Sequence, residues 1–68
     1  MRTYYTLLSK PRDGRWTIEF GDYSKRVVEQ ERRDLKEHAK RSTLFKVIET
    51  GDLQADINKV VEELNANG

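Results

Sequence analysis

Sixty-eight residues, 35% hydrophobic and 37% charged, allow one small domain, and a chain of this size buries only about 60% of the surface it exposes when unfolded. The formal net charge is +1 and there is no cysteine, which excludes disulfides and thiolate metal sites. The opening Met-Arg-Thr-Tyr-Tyr-Thr-Leu-Leu-Ser-Lys holds no apolar run long enough for a signal peptide or a membrane span, so a cytoplasmic protein held by packing alone is expected.

The first predicted strand is Tyr4–Leu8, aromatic and apolar on both faces, as suits a central strand. Ser9–Arg15 follows, with Pro11 and Asp13-Gly14 as turn formers, and reads as a hairpin loop carrying Lys10, Arg12 and Arg15. In the second strand, Trp16, Ile18 and Phe20 alternate with Thr17 and Glu19, the period of a strand with one buried face. Gly21-Asp22 is expected to end it, and Ser24 to cap the next helix by accepting from a backbone N–H.

That helix is predicted from about Lys25 to about Lys40, with Val27, Val28, Leu35 and Ala39 as its core stripe. Glu31 falls inside the stripe, and a carboxylate there needs a cation, hydrogen-bond donors or a place at the rim. Lys25, Glu29, Arg33, Glu37 and Arg41 alternate in sign every fourth residue, a ladder that would occupy many of the helix's cations. His38, the only histidine, has no ligand partners at metal-binding spacing and reads as structural. A third strand, Thr43–Glu49, is again apolar on both faces. Asp52 then caps a last helix from Leu53 to about Asn65, striped by Leu53, Ile57, Val60, Val61 and Leu64.

The order β-β-α-β-α predicts a single α+β domain over residues 1–68, a two-layer sandwich. Its three-stranded antiparallel sheet has order 2-1-3, and both helices lie on one face. The expected core is Tyr5, Leu7, Trp16, Ile18, Phe20, Val28, Leu35, Phe45, Val47, Leu53, Ile57, Val61 and Leu64. This leaves the other sheet face bare, and Tyr4, Leu8, Leu44, Lys46 and Ile48 on it form the expected partner-binding surface.

Around Trp16–Ser24 the chain resembles short open reading frames that recur in bacteriophage and prophage genomes. These share a Tyr-rich first strand, a W-x-x-x-F-G-D-Y segment and an acidic-basic helix. The matching residues are Tyr4, Tyr5, Trp16, Phe20, Gly21, Asp22, Tyr23, Val28, Glu29 and Glu31. The resemblance implies a phage accessory or regulatory setting and brings no activity with it.

Charge is unevenly spread: residues 1–48 carry twelve Lys/Arg against seven Asp/Glu, and residues 49–68 one against five. Without a nucleophile–base pair, a phosphate-binding glycine loop or a ligand cluster, no catalysis, cofactor or small-molecule substrate is expected. The primary expectation is a non-enzymatic interaction or regulatory module, binding a protein partner or itself through the open sheet face. The alternative is nucleic-acid binding, with Lys10, Arg12 and Arg15 on phosphates and Tyr4 as a stacking platform.

Overall fold

The computed structural model describes residues 2–67. In chain order the elements are β1 (Thr3–Lys10), β2 (Thr17–Asp22), α1 (Lys25–His38), β3 (Leu44–Gly51) and α2 (Gln54–Asn67). The sheet order is β2-β1-β3 and both pairings are antiparallel, so the α+β class and the β-β-α-β-α layout are those the sequence predicts.

Directly paired residues share a sheet face, so the register sorts the side chains. Leu7 opposes Phe20 on one side and Val47 on the other, and Ser9 opposes Thr17 and Phe45; these define the odd face. Thr6 opposes Gly21 and Ile48, and Leu8 opposes Ile18 and Lys46, defining the even face. Both faces of β1 are sealed: Leu7 and Leu8 are fully buried, and Thr6 and Ser9 nearly so. Each fully buried leucine contributes about 1.5–3 kcal/mol from apolar burial.

One helix covers each face, which corrects the expected two-layer arrangement with one face bare. On the odd face, α1 sets Leu35, His38 and Ala39 around Ser9, Glu19 and Phe45, while Lys25, Glu29 and Arg32 border Tyr5, Val47 and Glu49. The even face belongs to α2. Its far end is tied to the start of β2 by Asn65, and its entry residue Asp52 meets Tyr23, which packs on the even-face Tyr4.

Chain paths supply the physical reason. Helix α1 leaves β2 beside Tyr5 and returns to β3 beside Lys10, while α2 leaves β3 beside Thr3 and ends at Trp16. The two diagonals cross, so on a single face the helices would collide. The result is three layers, with β1 the centre of all of them. Three strands about 4.8 Å apart make a sheet only ~10 Å wide, in keeping with the shortest of the overall dimensions, 36 × 28 × 12 Å.

Several local features differ from the expected pattern. The register shifts at Leu7/Leu8, with Glu19 the extra residue on β2 between Ile18 and Phe20. This bulge puts Ile18 and Phe20 on different faces, leaving Ile18 46% exposed, and lets Glu19 Oε1 accept from Ser9 Oγ at 2.8 Å. Gly21 continues β2 rather than ending it, without a positive φ; its role is space, because a Cβ there would run into the Tyr4 phenol. Ser24 caps α1 as expected, its hydroxyl accepting from the Val27 N–H at 3.5 Å. Leu53, expected in the core, is instead 63% exposed ahead of α2.

Candidate functional site

The expected partner surface does not exist as a surface. Leu8 and Ile48 are core residues beneath α2. Tyr4 is half-buried, its ring edge-on to Tyr23 at 4.9 Å. Leu44 and Lys46 remain exposed, but on the outer strand β3 rather than on an open face.

Tyr4 belongs to a cluster at one end of the sheet. The Arg2 guanidinium lies 4.2 Å from the Tyr23 ring centroid, and the Tyr23 hydroxyl donates to Asp52 Oδ2 at 3.3 Å. Partial burial of the phenol and the neighbouring Asp52 carboxylate raise the Tyr23 pKa above its ordinary value, with Arg2 opposing them. The cluster joins the β2–α1 turn to the entry of α2.

The opposite end is cationic. Because Lys10 pairs with Leu44, the hairpin that follows β1 and the connection that precedes β3 lie side by side. Each closes a tight turn, Gly14 N–H donating to the Pro11 carbonyl at 3.1 Å and Thr43 N–H to the Lys40 carbonyl at 3.0 Å. A groove of about 430 Å³ runs between them, bordered by Arg12, Asp13, Lys40, Ser42 and Thr43. Arg12, Arg15, Lys40 and Arg41 are exposed and Lys10 is half-buried; Lys36 and His38 stand in the last turn of α1 nearby. Against them stand Asp13 and the partial negative charge of the helix C-terminus, roughly half an elementary charge.

These cations have no carboxylate partners among the described residues. Among the described residues the one ion pair is Arg32–Glu29 at 3.3 Å, within α1. The expected ladder from Lys25 to Arg41 is not closed, and α1 stops at His38, short of Arg41. The groove can therefore accept an anion through guanidinium and ammonium groups, with the Ser42 and Thr43 hydroxyls at its border.

Of the residues expected for nucleic-acid contact, Lys10, Arg12 and Arg15 gather here, and Tyr4 does not. Six residue-to-residue steps of extended strand, roughly 20 Å, separate Tyr4 from Lys10. Lys40 and Arg41 were missed because they were assigned to the helix and its ladder. The expected pairing of the first and third strands was the signal that could have placed them beside the hairpin.

Glu31 is half-buried and His38 exposed, and no group of three or more His, Cys, Asp or Glu able to hold a metal occurs among the described residues. No helix there is long and apolar enough to cross a membrane. Comparison with protein-family models, with curated proteins and with solved structures finds no match.

Proposed function

We propose that this protein is a non-catalytic binding module that grips the phosphate backbone of nucleic acid through its cationic end. The supporting observation is that two turns far apart in sequence bring Arg12 and Lys40 to one groove, with Lys10, Arg15 and Arg41 in the same two segments, and that none of the five is ion-paired among the described residues. Backbone contact fits the residue types better than base readout. Trp16, next in sequence to Arg15, is half-buried, with its backbone tied to Asn65. Phosphate contacts position a protein without reading sequence, so affinity should be sequence-tolerant and strongly salt-dependent. The resemblance to short phage reading frames supports an accessory role in such a genome.

Fluorescence anisotropy with duplex and single-stranded oligonucleotides tests this reading. Four or five phosphate contacts predict a slope of log K on log[salt] of about −4 for duplex. The double variant Arg12→Ala/Lys40→Ala should flatten that slope by about two and weaken binding to all sequences alike. No binding at low salt, or binding that this variant leaves unchanged, rejects the proposal.

A further inference from the structure

The outer edge of β3 is eight residues long, Leu44–Gly51, contains no proline, and has β1 on only one side. Such an edge offers a row of unpaired N–H and C=O groups to another strand. We propose that two copies of this chain pair β3 against β3, antiparallel, about a twofold axis perpendicular to the sheet at Ile48, making one continuous six-stranded sheet.

Four observations point to a second copy as the occupant. The first concerns the most exposed large apolar side chains, Leu44 at 55% and Leu53 at 63%. They stand near opposite ends of β3, and the twofold sets Leu44 of each copy beside the partner's Leu53.

The second is the path of the helices. On the even face α2 leaves from the Gly51 end of β3 and ends over Trp16, so the stretch around Leu44 and Lys46 has no helix above it. The start of the partner's α2 comes beside that place.

The third is charge. A lysine on an edge strand ordinarily discourages pairing. Here Lys46 comes beside the α2 side of the partner's edge, where Asp56 and Glu63 line a groove with Lys59 the one cation among its described lining residues. On the odd face Glu49 comes beside the last turn of the partner's α1, which carries Lys36 and His38.

The fourth is area. The accessible surface is 5181 Å², whereas a folded monomer of 8.0 kDa is expected to expose about 4450 Å².

Sedimentation velocity on the full chain tests association, and its expected result is a reversible dimer in the micromolar range. Leu44→Asp, at an exposed position, should raise the dimer dissociation constant at least tenfold with the circular dichroism spectrum unchanged. The natural chain has no cysteine, so introduced ones report geometry cleanly. Within one copy, residues 44 and 53 are roughly 20 Å or more apart, beyond disulfide reach. A Leu44→Cys/Leu53→Cys chain should therefore cross-link between copies under a short bismaleimide, and Leu44→Cys alone should not. A chain that stays monomeric to millimolar concentration overturns the proposal. So does a dimer indifferent to Leu44→Asp, or equal cross-linking of the single and double cysteine variants.

Discussion

Thr6 shows how tightly the middle strand is enclosed. Its side chain is 1% exposed, and its Oγ1 is buried with no hydrogen-bond partner. Thr6→Val keeps the shape and removes the unpaired hydroxyl, so it should stabilise the protein by about 1 kcal/mol. The check is a urea titration in which the midpoint rises and the m-value holds; a fall in midpoint would show that the hydroxyl has an unrecognised partner. Tyr23 makes a second residue-scale case. Its pKa is raised in the folded protein, by partial burial first and Asp52 second. The sign follows: a group held above its unfolded value favours folding at pH below about 10, and that contribution is lost as pH rises through the folded pKa. Stability should therefore decline on the alkaline side. In an absorbance titration, Asp52→Asn should move Tyr23 back toward its ordinary value without restoring it fully, since the burial remains.

Among the elements, α2 has its far end tied to the sheet by the hydrogen bonds of one side chain. Asn65 accepts from the Trp16 N–H at 2.8 Å and donates to the Trp16 carbonyl at 3.3 Å, across 49 residues of sequence. Asn65→Ala removes both bonds and should cost about 1–2 kcal/mol, with amide exchange rising in α2 before α1. The elements themselves were legible in the sequence, because alternation, turn residues and capping are local signals: Ser24 caps α1 and Pro11–Gly14 makes the hairpin turn. The bulge was not legible, since Trp16-Thr-Ile-Glu-Phe20 alternates as cleanly as an unbroken strand. Nor was the side taken by α2: an apolar stripe says which flank of a helix is buried, never which face of a sheet receives it. The clue lay in Tyr4–Leu8, whose two-sided apolar character meant that both faces are covered. The cationic end was half legible. Its hairpin residues were plain, whereas Lys40 and Arg41 needed the helix to stop at His38.

For the molecule as a whole, the two layers of packing meet back to back through Leu7 and Leu8. A core leucine truncated to alanine costs about 2–5 kcal/mol, and a core this small rarely supplies more than about 3–5 kcal/mol in total. Leu8→Ala should therefore leave the protein largely unfolded at 25 °C, whereas Leu44→Ala, on the exposed edge, should change stability by no more than about 0.5 kcal/mol. Thermal melts followed by circular dichroism separate the two, and a mild Leu8→Ala would contradict helical cover on the even face.

The position of β1 has a further consequence during synthesis. The strand that every other element needs is translated before them, and only the hairpin partner follows it closely. Leu7 waits for α1, and Leu8 waits until Ile57 and the rest of α2, the last of the five elements, have emerged. A nascent chain stalled short of α2 therefore displays a greasy sheet face, and is the form that chaperones and proteases should find first.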